Sequence, residues 1–234
     1  MSSHSHHRHA ATPASSGHHH GGPGPSEADL ARMREPEGWD ERYAASGDVW
    51  SGAPNPQLVE EVTGLEPGRA LEIGCGEGAD AIWLATQGWH VTATDFSCVG
   101  LGKAAKAAEA AGVSGMIEWR ELDARHFTPG PEHWDLVHAH YLHIDIDEVR
   151  RLIAALAQVI TPGGTLLVVG HHPADIEAGL RRPNANLLYT AEDLAAALPE
   201  GDWDISAEAR TRPATGPDGE PATATDAVLV AVKR

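Results

Sequence analysis

The segment ALEIGCGEGADAIWLATQG, residues 70–88, constrains the fold more than any other stretch of the chain. A short apolar run, Ala70 to Ile73, leads directly into Gly74-Cys75-Gly76-Glu77-Gly78, and helical periodicity resumes at Asp80. A strand that turns through glycines into a helix places a bare backbone beside whatever lies at the strand's carboxyl end. In an open parallel sheet that is where ligands bind, at the point where strand order reverses. The glycines are spaced two and two, not two and three as in a dinucleotide fingerprint.

The same alternation continues along the chain. Strands are predicted at 90–95 (HVTATD), 116–122 (MIEWREL), 134–140 (WDLVHAH) and 165–170 (TLLVVG). Helices are predicted over Asp80–Thr86, from after Asp95 to Ala111, over 147–160 with Asp147 as its cap, and over 191–198. Strands alternating with helices imply a doubly wound α/β fold, a mostly parallel, Rossmann-like sheet with helices on both faces. Two late strands, 203–211 and 227–233, have no helix between them and are expected to form an antiparallel hairpin at one edge, giving seven strands. Ahead of the sheet, short helices are expected from Ser26 to Glu35, near Asp40–Ala45, and from Pro56.

Composition sets the outer bounds. Residues 1–26 are Ser, His, Gly, Pro and Ala with almost no large apolar side chain, and are expected to be a disordered tail. Seven of the fifteen histidines fall there, a pattern that fits loose metal capture, a solvated tail or a tag remnant. Residues 27–234 then form one domain, with lid helices over 27–66 and the α/β core over 67–234. A formal net charge of −17, with no Lys/Arg-rich block, argues against a nucleic-acid partner. Two cysteines, Cys75 and Cys98, give no disulfide framework and suit a reducing cytoplasm. With no long apolar run, no membrane partner is expected; the oligomeric state is open.

Glu72 with Gly74, Gly76 and Gly78, then Asp95 closing the second strand and Asp123 following the third, resemble the class I S-adenosylmethionine-dependent methyltransferases. Trp39-Asp-Glu-Arg-Tyr43, Trp50 and Asn55-Pro56 look like the small-molecule group that includes tellurite-resistance and thiopurine methyltransferases. The resemblance implies S-adenosyl-L-methionine as cofactor, S-adenosyl-L-homocysteine as product, and a small-molecule acceptor. It implies that residues 74–78, Cys75 included, lie against the methionine moiety and that Glu72 organises the loop. Asp95 would take the ribose hydroxyls, Phe96 would pack on adenine, and Asp123 with Ala124 would meet the adenine edge. Tyr43 and Trp50 would close near the methionine end.

A second cluster follows strands four and five: His138, His140, Tyr141 and His143, then His171 and His172. Parallel strands share a direction, so these groups are expected on the side where a methyl group emerges, as acceptor-orienting groups or a general base; His138 is also expected beside the cofactor. No metal site is expected, since neither His-x-x-x-His nor Cys-x-x-Cys occurs. The competing readings are a non-catalytic S-adenosylmethionine- or metal-binding protein on the same fold, and a nicotinamide-dependent dehydrogenase, against which the glycine spacing argues. A hydrolase lacks the Gly-x-Ser-x-Gly elbow.

Overall fold

The computed structural model describes residues 31–45, 47–181 and 187–234. The tail at 1–26, and the first half of the helix expected from Ser26, lie outside the described residues. The elements are α1 (Pro36–Ala45), α2 (Pro56–Val62), β1 (Arg69–Ile73), α3 (Ala79–Thr86), β2 (His90–Asp95), α4 (Cys98–Ala110) and β3 (Ile117–Glu121). There follow β4 (Trp134–His140), α5 (Ile146–Leu156), β5 (Ile160–His171), α6 (Ala174–Glu177), α7 (Ala191–Ala195), β6 (Trp203–Thr215) and β7 (Pro221–Lys233).

Seven strands form one sheet in the order β3-β2-β1-β4-β5-β7-β6. The pairs from β3 to β5 are parallel, while β7 runs antiparallel between β5 and β6. Strand order reverses between β1 and β4, which is where the glycine loop leaves β1. Both faces are covered, so the central strands are apolar on both sides. Leu71, Ile73, Val137, Ala139 and Val168 pack with α5, whereas Ala70, Leu136, Leu167 and Val169 pack with Leu58 of α2 and Leu84 of α3. Each such fully buried aliphatic side chain contributes about 1.5–3 kcal/mol.

Local chemistry sets the element ends. α5 buries Val149, Leu152, Ile153 and Leu156, the spacing of one helical face. It begins at Ile146, not behind Asp147: the Glu148 carboxylate accepts from Asp145 N at 2.8 Å, and Arg34 grips the Asp145 carboxylate at 2.6 and 2.9 Å. α1 starts at Pro36, earlier than the expected Asp40, because proline lacks only an N–H that the first turn leaves unpaired anyway. β5 is longer than the predicted 165–170. A register shift against Trp134/Leu136 lets Thr161-Pro-Gly-Gly164 join the strand ahead of the apolar run.

Candidate active site

Three backbone bonds shape the glycine loop. Gly74 N and Cys75 N both donate to Thr94 O, at 2.8 and 2.9 Å, and Gly78 N donates to Cys75 O at 2.8 Å. Gly76 N donates to the Asp95 carboxylate at 2.8 Å, and Ser97 N to its other oxygen at 2.9 Å. Gly76 and Gly78 have φ of +54° and +81°, a region that glycine enters without a Cβ penalty. A side chain at Gly76 would run into the Tyr43 hydroxyl, and one at Gly78 into Ala104 and Trp119.

The loop forms one wall of a cavity of about 1080 Å³ at the carboxyl ends of the strands. Glu72, Gly74, Cys75, Gly76, Asp95, Phe96, Asp123 and Ala124 line it; Gly78 does not, because it packs against α4 and β3. The Glu72 carboxyl is buried, with one oxygen, Oε2, lacking any hydrogen-bond partner. Burial, then the charges of Asp80 and Asp95, push its pKa well above the usual carboxylate range. Asp95 is raised too, by burial, against the pull of its backbone donors. Asp123 is lowered: burial works the other way, but the Arg125 guanidinium at 2.7 Å and Arg125 N outweigh it. Its carboxylate is therefore largely engaged within its own turn.

α1 and the segment after it cover the loop. Tyr43 is buried and accepts from Trp50 Nε1 at 3.2 Å. Trp39 sits 5.5 Å from the Tyr43 ring, 5.9 Å from Trp50 and 5.1 Å from His143. The Glu77 carboxylate holds this cover, accepting from Val49 N at 3.0 Å and Trp50 N at 3.1 Å and pairing with Lys103 at 2.7 Å.

The histidines separate into three environments. His138 shares a face with His140, as strand alternation requires, but one step deeper: it is fully buried, pairs in register with Glu72 and Leu167, and does not line the cavity. The expectation that it faces the reacting groups is corrected, since alternation fixes a face and not a depth. Both its ring nitrogens lack partners, and burial, followed by the neighbouring His140, lowers its pKa to about 3. His140 reaches the cavity, its Nδ1 2.7 Å from the Asp80 carboxylate, whose other oxygen accepts from Asn55 N at 2.6 Å. Its Nε2 is without a partner.

His143 and His171 line the far end of the cavity. Burial, then Arg181 and Arg42, lower His143 to about 4; burial, then Arg181, His143 and Arg212, lower His171 to about 2. Tyr141, at φ +50°, stacks on His171 with centroids 4.4 Å apart, and its hydroxyl accepts from Arg212 Nε at 3.2 Å. Burial, then the charge of Asp226, pushes that hydroxyl up to about 12. His172 lies off the cavity, and its Nδ1 accepts from Ala174 N at the start of α6.

Asp80, Arg181 and Arg212 line this site although sequence reasoning did not single them out. Asp80 carried a signal, an acid in the first turn of α3 directly after the glycine loop. Asp80, His138 and His140 each bring a metal-ligand type of atom within 4.8 Å of the others. The Asp80 oxygen and His140 Nδ1, however, are at hydrogen-bond distance from each other.

Residues 70–164 match the family described as a methyltransferase domain. Over this span the chain is similar to methyltransferase domains. It is 33% identical over 108 residues to the phosphatidylethanolamine N-methyltransferase of Cereibacter sphaeroides, covering 46% of this chain and 53% of that protein. It is 31% identical over 111 residues to the ribosomal RNA small subunit methyltransferase C of Alcanivorax borkumensis, covering 45% and 33%. The chain thus spans about half, or less, of these relatives. A solved structure concerned with conversion of a disulfide bond into a thioacetal group during echinomycin biosynthesis superposes with a TM-score of 0.69. It is 26% identical, with 85% of this chain and 92% of that one covered. Relatives so different in acceptor share the domain, so the domain alone does not select an acceptor.

Proposed function

We propose that the protein transfers a methyl group from S-adenosylmethionine to a small-molecule acceptor. The observation that carries this reading is the wall formed by Glu72, the glycine loop and Asp95 at the strand-order reversal. Glu72 Oε2 is a buried acceptor lacking a donor, and the ammonium of a methionine moiety supplies one. The Asp95 carboxylate accepts from Gly76 N and Ser97 N, with Phe96 N as a further backbone donor; its four lone-pair sites still leave room for a ribose hydroxyl. Phe96 and Ala124 flank the adenine; Asp123, already held by Arg125, contributes less there than the resemblance implies. Trp50 and Tyr43 close over the methionine end. The formal charge of −17 supports an acceptor other than nucleic acid, and among the described residues no helix is long and apolar enough to cross a membrane.

When bound, the cofactor would supply an activated methyl on a sulfonium, which an acceptor lone pair would take while the carbon–sulfur electron pair stayed on sulfur. The chain's task is alignment, worth up to about 7–11 kcal/mol. Where the acceptor gives up a proton, His140 takes it on Nε2, oriented through Nδ1 by Asp80. His143 and His171 are held neutral with pKa values of about 4 and 2, so they are weak bases and serve to position the acceptor.

Calorimetry on the full chain tests the cofactor assignment. S-adenosylhomocysteine is expected to bind in the micromolar range, roughly −8 kcal/mol, and Asp95→Asn to weaken it by about 2 kcal/mol. Heat with NAD and none with S-adenosylhomocysteine would refute it. Formation of S-adenosylhomocysteine across a panel of thiols, phenols, metalloids and carboxylates then separates turnover from cofactor retention.

A further inference from the structure

The cavity is electrically divided along the sheet. Glu72, Asp95 and Asp123 sit at the ends of β1, β2 and β3, on one side of the strand-order reversal. On the other side, beyond β4 and β5, the lining is Arg42, Tyr141, His143, His171, Arg181 and Arg212. A chain with a formal charge of −17 here places three guanidiniums at one end of a cavity. Net charge says nothing of such a local field.

We propose that this end is an anion subsite that holds a carboxylate, phosphonate or phosphate group carried by the acceptor, with Arg181 as its principal ligand. The word acceptor rests on the methyl-transfer reading; the binding of an anion does not.

Arg181 is anchored by its backbone, whose N–H donates to Asp175 O at 3.1 Å. Its side chain keeps only 36% of its exposure, and its buried Nε has no hydrogen-bond partner. Among the described residues its one ion pair is a loose one, 3.5 Å to Asp175 Oδ2. Asp175 Oδ1 is already taken by Thr225 N at 2.8 Å. A guanidinium presents five donors in a rigid fork that matches carboxylate and phosphate oxygens, and burying one without acceptors is costly. Arg181 thus lines the cavity as a partly buried guanidinium whose Nε is short of an acceptor.

Its neighbours fit the same occupant. Arg212 spends Nε on Asp226 and the Tyr141 hydroxyl, at 3.0 and 3.2 Å, and its two terminal nitrogens make no hydrogen bond among the described residues. Arg42 lies over the Trp39 and Trp50 rings at 5.1 and 5.3 Å. Asp226 pairs with Arg212 at 3.0 Å, while Asp175 stands 3.5 Å from Arg181. The field of these guanidiniums helps keep His143 and His171 unprotonated, and a neutral imidazole still offers one N–H to an anion. His171 Nδ1 is buried and unpartnered. The guanidinium donors that line this end would be left unsatisfied by a neutral apolar acceptor.

The test uses the full chain with saturating S-adenosylhomocysteine and calorimetric titration of methylphosphonate, acetate and the neutral acetamide. Both anions are expected to bind and acetamide at least tenfold more weakly. Arg181→Gln should lose at least tenfold in anion affinity with S-adenosylhomocysteine affinity changed less than twofold. Arg181→Lys, which keeps the charge and loses the fork, should fall between. Arg125→Gln, on the acidic side, should bind the anions as the unaltered chain does. Equal binding of acetamide and acetate, no heat from either anion, or unaltered anion affinity in both Arg181 variants would overturn the proposal. If S-adenosylhomocysteine gives no heat, the methyl-transfer reading fails alone, and the same titrations on the chain by itself still decide the subsite.

Discussion

Gly78 illustrates how tightly single residues hold this site. Its φ is +81°, and an added Cβ would stand 2.8 Å from both Ala104 Cβ and the Trp119 ring. A left-handed conformation costs a non-glycine residue about 1–2 kcal/mol, and overpacking adds about 1–3. Gly78→Ala is therefore expected to destabilise the fold by about 2–5 kcal/mol, read from urea unfolding; a loss under about 1 kcal/mol would show that helix α4 yields instead. The glycine spacing and Asp95 are readable from sequence because their meaning is local: strand end, turn, helix start. Asp80 is not, since its partner His140 joins it only when β4 pairs with β1. His138 was misjudged for a related reason: which face a strand residue takes follows from period two, whereas depth depends on what the neighbouring strands and helices cover.

At the scale of elements, the cover over the cavity hangs on one carboxylate. Glu77 joins the backbone at Val49 and Trp50 to Lys103 on α4. Glu77→Ala removes the acceptor of two backbone N–H groups in a surface segment, so global stability should fall by about 1 kcal/mol or less. Protease cleavage near residues 47–52 should nevertheless quicken several-fold, and S-adenosylhomocysteine affinity should drop. Unchanged cleavage rates would mean that the tryptophan and tyrosine packing alone holds the cover. Helices and strands were legible here through their periods of 3.6 and 2, and their order gave the parallel sheet. Their ends were less so. α5 starts where Arg34, more than a hundred residues earlier, meets Asp145, and the short helix α6 is set by contacts of Asp175 with β7.

The whole molecule carries its buried imidazoles as a pH liability. The unfolded chain binds a proton on His138 below about pH 6.5, while the folded residue refuses it until about pH 3. Stability from this group is thus complete above about pH 6.5 and is lost as pH falls toward 3, at about 1.4 kcal/mol per pH unit. The raised carboxyls of Glu72 and Asp95 act in the opposite direction, so the comparison must be differential. Between pH 7.5 and 5.5 the unaltered chain should lose about 1 kcal/mol more than His138→Ser, measured by urea unfolding at both pH values; parallel losses would place His138 in contact with water. One more consequence concerns the order in which the chain is made. β7 leaves the ribosome after β6, yet it lies inside the sheet, between β5 and β6. Until it arrives, β5 presents Leu166 to Val169 along an open edge, an invitation to strand exchange with a neighbouring nascent chain. Synthesis in crowded polysomes therefore exposes this protein to a hazard that the finished molecule no longer shows, and slow translation through residues 172–220 would lengthen it.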